Sequence, residues 1–221
     1  MPLGHVTSLQ VGRPQQRPAL SDRQPAYWTG FWKSPVTGRL LLDAHGLEGD
    51  GQADLINHGG TDKALCIYAA LHYPSWKTEL QRDEFSYGAF GENLTVSGDT
   101  LHEAEVCVGD LWAIGTARLQ VSQPRQPCWK LGRRWEMTDL PGKVIQSGKT
   151  GWYLRVIQPG TLAQGDEITL LARPAPAWPI SRLNQLMYRE KQNISLLKEA
   201  LALPFLSTSW RDTFMSRLHS S

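Results

Sequence analysis

Hydrophobic residues in this chain fall mostly into short runs rich in Val, Ile, Leu and aromatics, separated by Gly, Asp, Asn and Pro. That pattern predicts short strands closed by tight turns. The runs are His5–Val11, Arg39–Ala44, Ala64–Tyr68, Asn93–Val96, Val106–Val108, Leu111–Ile114, Arg118–Ser122, Tyr153–Ile157 and Glu167–Leu171. Val108-Gly109-Asp110-Leu111 and Gln164-Gly165-Asp166-Glu167 repeat one device, a Gly-Asp turn between extended residues. One stretch, His72–Arg82, is predicted as a helix, with Trp76 and Leu80 four apart. The expected fold class is mainly β, a barrel or sandwich with one or two helices and long loops.

The pattern changes after Arg173. Pro174-Ala175-Pro176-Ala177-Trp178-Pro179 predicts a stiff linker. Three helices are expected beyond it, at Ser181–Lys191, Asn193–Leu203 and Ser209–His219. Ser181, Asn193 and Ser209 are the expected N-caps, with Ser209 and Asp212 as a capping box. Leu196, Leu197, Ala200 and Leu201 form an apolar stripe at helical spacing. The expected division is a β domain over 1–173 and a three-helix module over 174–221. So short a module makes a poor core alone and is expected to dock on the barrel or on a partner, a homodimer included.

Composition narrows the function classes. The net charge of +2 over 221 residues, with no basic block, argues against a nucleic-acid partner. The tail read as a helix-turn-helix would place few basic residues on its recognition helix. No apolar run approaches the ~20 residues that cross a bilayer. Met1-Pro2-Leu3-Gly4-His5-Val6 lacks both the basic and the apolar regions of a secretory signal. Cys66, Cys107 and Cys128 are odd in number, widely spaced and without a CxxC pair, which fits neither a disulfide framework nor structural zinc. A reducing, cytoplasmic setting is the expectation.

Candidate chemistry concentrates in three places. Cys128 lies in Gln123-Pro124-Arg125-Gln126-Pro127-Cys128-Trp129, held by prolines and beside an arginine, a setting that suits a functional thiolate. Asp43 to Lys63 is a polar, glycine-rich stretch whose main-chain amides can converge on an anion such as phosphate. His58 there precedes Gly59 and Gly60, and Asp62 and Lys63 bring charge beside it; Cys128 with His58 is a candidate nucleophilic pair. Gly88-Ala89-Phe90-Gly91-Glu92-Asn93 sets Glu92 and Asn93 at a strand entrance, where Asn93 either closes an Asx-turn or hydrogen-bonds a heteroaromatic edge. Lys33 stands among aromatics, as a phosphate ligand or a surface residue. Gly142 to Thr150 imitates a P-loop with one residue too many, and a strand follows it where that mechanism needs a helix.

Taken in order, these segments resemble the MOSC family, named for the C-terminal domain of molybdenum cofactor sulfurase, and its YiiM-like branch. The resemblance is carried by Gly46-Leu47-Glu48-Gly49-Asp50, His58-Gly59-Gly60-Thr61-Asp62-Lys63-Ala64, Gly88 to Leu94, Gln123 to Cys128 and Gly151 to Val156. Lys33-Ser34-Pro35-Val36 matches more loosely, and the tail is similar to the three-helix module of that branch. The resemblance implies a β-barrel that binds the molybdenum cofactor, a molybdenum held by the dithiolene of a phosphorylated pterin. It implies Cys128 as metal ligand and catalytic residue, a role that a soft thiolate suits. Lys33, Arg125 and Arg155, with the Gly59, Gly60, Thr61, Asp62 and Lys63 segment, would hold the cofactor, while His58 and Asn93 line the pocket.

The activity implied is reduction of N-hydroxylated compounds, including hydroxylaminopurine-type base analogues, a detoxification. Cofactors carry such chemistry and the protein orients them. No CxxC pair, cysteine cluster or dinucleotide fingerprint occurs in the sequence, so electrons would come from a separate flavoprotein reductase. Two alternatives stand beside this: a non-catalytic carrier of the cofactor, and a sulfur-transfer protein with a persulfide on Cys128.

Overall fold

The structure, a computed structural model, describes residues 1–56 and 59–219. In chain order it begins with strands β1 (Pro2–Val11), β2 (Gln15–Arg17), β3 (Tyr27–Thr29), β4 (Ser34–Pro35), β5 (Arg39–Asp43) and β6 (Gly46–Leu47). A 3-10 turn at Thr61–Lys63 leads into β7 (Leu65–Ala69), helix α1 (His72–Leu80) and β8 (Leu94–Ser97). Next come β9 (Leu111–Ile114), β10 (Ala117–Pro124), α2 (Trp129–Trp135), α3 (Leu140–Ser147), β11 (Trp152–Gln158), β12 (Gly160–Ala163) and β13 (Glu167–Ala172). Helices α4 (Ile180–Tyr188), α5 (Ile194–Leu201) and α6 (Thr208–His219) complete the chain.

Seven strands close a barrel in the order β13-β9-β10-β11-β7-β8-β1, with β1 pairing back to β13. Closure leaves no free edge inside the ring. The pair β7–β8 is parallel, and α1 supplies the crossover that a parallel pair requires. Leu65, Ile67, Leu94, Trp112, Leu119, Trp152, Leu154 and Ile168 fill the barrel. Strand β7 is buried along its whole length because both of its faces are covered. Leu65, Ile67 and Ala69 point into the barrel, while Tyr68 packs outward with Trp76, Phe90, Leu131 and Val144 under α1, α2 and α3.

Both Gly-Asp turns anchor an arginine. Gly109 and Gly165 each adopt φ 87°, and Asp110 binds Arg173 while Asp166 binds Arg39, at 2.7 and 2.8 Å. Val106–Val108, expected as a strand, instead receives the linker: Cys107 bridges Pro179, and Ile180 N–H donates to the Val106 carbonyl at 2.8 Å.

Of the expected caps, Asn193 accepts from Leu196 N–H, but helices α4 and α6 begin differently. Pro179 precedes α4, and the Ser207 hydroxyl accepts from Trp210 N–H at 3.4 Å, so the hydroxyl of Ser209 is turned to Gln123 at 3.1 Å. The three tail helices share a core of Trp178, Leu183, Leu197, Trp210 and Phe214, which continues onto Val108 of the barrel. No helix among the described residues is long and apolar enough to cross a membrane.

Candidate functional site

Strand β10 delivers the cysteine segment. Ser122 to Arg125 are buried, and Arg125 N–H donates to the Gly151 carbonyl at 3.0 Å as the chain leaves the barrel. Cys128 then takes extended backbone, φ −114° and ψ 168°, immediately before α2, and its carbonyl accepts the Leu131 N–H at 3.1 Å. Its side chain makes no capping bond. Cys66 and Cys107 are buried, whereas Cys128 is partly exposed.

Two clefts meet at this sulfur. The inner one, about 520 Å³ out to its mouth, is walled by Cys128, Cys66, Tyr153, Phe31, Asp50 and Asn93, with Lys33, Lys63 and Lys130 among its lining. The alternation of β7 that turns Tyr68 outward also turns Cys66 outward, and Tyr153 is its register partner on β11. The outer cleft is lined by Gln123, Gln126, Trp129, Ile56, Ser209 and Thr213. Cys128, Tyr153, Lys63 and Asp54 belong to both. The walls close tightly because Gly30 lacks a side chain: a Cβ there would lie 2.1 Å from the Gly51 carbonyl oxygen.

The electrostatics are uneven. Asp50 binds Lys33 and accepts from Gly12 N–H at 2.8 Å and from the Asn93 amide at 2.7 Å. Asn93 in turn accepts from Cys66 N–H at 3.1 Å, so it braces the cleft wall and closes no Asx-turn. Burial depresses the Lys63 ammonium pKa, partly offset by Asp62 and Asp54. Arg125 is fully enclosed; one nitrogen donates to the Phe90 carbonyl at 2.7 Å and Nη1 has no acceptor. Burial works against its charge, but Cys66, Tyr153 and Cys128 outweigh it and the net shift is upward. Burial also raises the Tyr153 phenol, with Cys66 adding to the effect.

The expected site residues therefore separate. Cys128, Lys33, Lys63 and Asn93 line the inner cleft, and Arg125 lies behind its wall. Gly59 and Gly60 lead into the 3-10 turn that Thr61 opens, and none of the three lines either cleft. Asp62 and Arg155 line neither cleft and make contacts to the tail. Arg155 pairs with Asp62 at 2.8 Å and donates to the Phe205 carbonyl at 2.9 Å, and Asp62 accepts from Thr208 N–H at 3.0 Å, so both hold the tail. His58 lies outside the described residues. Cys66, Tyr153, Lys130 and Asp50 line the cleft without having been singled out as site residues. The run Ala64–Tyr68 reads as plain core, and only closure of the barrel sets Cys66 against the cleft.

Thiol chemistry separates the three cysteines. Burial pushes Cys66 and Cys107 up to about 11. At pH 8 a maleimide is expected to label Cys128 alone, with the other two reacting only after denaturation, as mass spectrometry of tryptic peptides would show. Both raised thiols also stabilise the fold fully below about pH 9, and that contribution fades as pH climbs towards 11, because the unfolded chain ionises first. Equal labelling of Cys66 at pH 8 would contradict this geometry.

The fold is shared with a known class. The MOSC domain model matches residues 54–169, and the model for the YiiM-like, 3-alpha helix domain matches residues 178–221. The chain belongs to the MOSC domain family. The crystal structure of YiiM from Geobacillus stearothermophilus superposes with a TM-score of 0.81 at 36% identity, covering 97% of this chain and 98% of that one. YflK of Bacillus subtilis (strain 168) is 42% identical over 212 residues, 96% of this chain and 93% of its own. A protein of Gibberella moniliformis named a reductase is 33% identical over 196 residues, which span 87% of this chain but 34% of that protein.

Proposed function

We propose that this chain is the terminal component of a molybdenum-cofactor-dependent reductase of N-hydroxylated compounds, supplied with electrons by a separate flavoprotein reductase. The observation that carries this reading is the position of Cys128, a partly exposed soft donor where a lysine-lined cleft meets an open one. The residues present fit the cofactor. No cluster of three or more His, Cys, Asp or Glu able to hold a metal occurs among the described residues, so a metal here must bring most of its own ligands. A metal carried on a dithiolene does so, and Cys128 would add one thiolate.

Lys33, Lys63 and Lys130 line the inner cleft and would bind the phosphate. The unpartnered nitrogen of Arg125 adds positive field behind the wall. When bound, the cofactor supplies the two-electron chemistry that splits the N–O bond, an N-hydroxyl compound plus two electrons and two protons giving the amine and water. The chain's own part is to hold both reactants against one sulfur and to keep solvent out with Phe31 and Tyr153.

The reading is tested with protein purified from a host that makes the cofactor. It is expected to carry molybdenum and pterin and, with benzyl viologen as reductant, to convert hydroxylamine or an amidoxime to the reduced product. Bound cofactor without turnover under any reductant would favour a carrier. A thiol-labile mass increment on Cys128 in protein lacking molybdenum would favour sulfur transfer.

A further inference from the structure

The outer cleft adjoins the inner one at Cys128, Tyr153, Lys63 and Asp54, and its far wall comes from the tail. Ser209 and Thr213, one turn apart on α6, face Gln126 and Trp129 across a space of about 1030 Å³ out to its mouth. Two large apolar side chains flank it while exposed to solvent: Ile56 is 91% and Trp129 53% exposed. The Trp129 indole is nevertheless fixed, with the Tyr27 ring at 4.9 Å and the Arg133 guanidinium at 6.0 Å. A rigid aromatic face with amides and hydroxyls opposite it suits a flat ring with polar edges.

The wall is held by more than apolar packing. Ser207 N–H donates to the Ser122 carbonyl at 3.1 Å, and the Ser122 hydroxyl donates to the Asp62 carbonyl at 2.6 Å. The Asp62 carboxylate receives Thr208 N–H, and the Ser209 hydroxyl donates to Gln123 at 3.1 Å. This network fixes that turn relative to β10, the strand that carries the chain to Cys128.

We infer that the outer cleft is the acceptor subsite and that helix α6 of the tail sets its size selectivity, admitting flat aromatic N-hydroxylated compounds between Thr213 and Trp129. This rests on the function proposed above, which assigns the inner cleft to the cofactor. Asp62 and Arg155 become positioning residues for that wall.

The test uses the full-length chain and the variants Thr213→Trp and Gln126→Trp, which fill the cleft from opposite sides at positions outside the buried core. In cofactor-loaded protein, the ratio of kcat/KM for 6-hydroxylaminopurine to that for hydroxylamine is expected to fall about tenfold or more in each, within the range a pocket of altered size commands. Adenine, the amine product, is titrated calorimetrically into the same proteins without any turnover. Its affinity for the unaltered chain is expected to drop by a similar factor in both variants, with molybdenum content unchanged.

Adenine binding that is absent, or equal in all three proteins, would overturn the assignment of the cleft. Failure of the loaded, unaltered chain to reduce either compound would instead overturn the reductase reading. The adenine titration would still decide whether the cleft binds a flat ring.

Discussion

Cys128→Ser is expected to lower reductase turnover by at least about a hundredfold, as losing a ligand that touches the reacting centre does, while leaving the thermal midpoint nearly unchanged. The two halves of this expectation have separate causes. Cys128 makes no capping bond and is partly exposed, and serine nearly matches its size, so the substitution disturbs little packing. A serine hydroxyl is a hard donor and replaces a thiolate poorly at a soft metal. Cys66 lines the same cleft but is buried, and burial pushes its thiol up to about 11, away from the thiolate form. Viologen-driven turnover and thermal denaturation of the same preparation check both halves, and turnover within threefold of the unaltered chain would contradict the role.

The second large effect is structural. Glu92 is fully buried and accepts from four donors: the Tyr73 hydroxyl, the Thr95 hydroxyl at 2.9 Å, Gly88 N–H at 2.8 Å and Phe90 N–H at 3.1 Å. Burial first, and then Glu92, hold the Tyr73 phenol far above its ordinary range, so it remains a donor. Glu92→Ala leaves these donors without an acceptor away from water. The expected loss is about 3–5 kcal/mol, the scale for breaking a buried charged network, and urea unfolding measures it as a fall in the midpoint. The same turn carries the Phe90 carbonyl that receives Arg125, so the damage should reach the cysteine segment. A loss below about 1 kcal/mol would show that the donors find other partners.

Much of the barrel was legible because its strands follow a simple rule. Leu111–Ile114 has the bounds its pattern predicts, and the runs ending at Val11, Val96 and Ile157 lie within one residue of the observed ends. Helices α2 and α3 were missed for local reasons. Trp129–Trp135 is short and contains Gly132, where a Cβ would lie 2.8 Å from the Met137 carbonyl oxygen, so packing rather than propensity chose the residue. The α3 helix opens on Leu140-Pro141-Gly142, which reads as a turn, although proline is well suited to a first helical turn.

The site was legible only in part. Cys128 and Lys33 stand out by composition around them, yet nothing in the sequence says that Lys33 is matched by Asp50. Asp62 and Arg155 lie in segments that resemble the family's, so they were grouped with the cofactor. Their contacts to the tail, Thr208 and Phe205, are 146 and 50 residues away, a separation that no local pattern encodes.

The most direct test of a molybdenum–sulfur bond from Cys128 is molybdenum K-edge X-ray absorption on loaded protein, comparing the unaltered chain with Cys128→Ser. A protein thiolate at the metal requires one fewer sulfur scatterer in the variant, with the dithiolene pair retained. Identical sulfur shells in the two proteins, or no molybdenum in the unaltered chain from a cofactor-producing host, would contradict it.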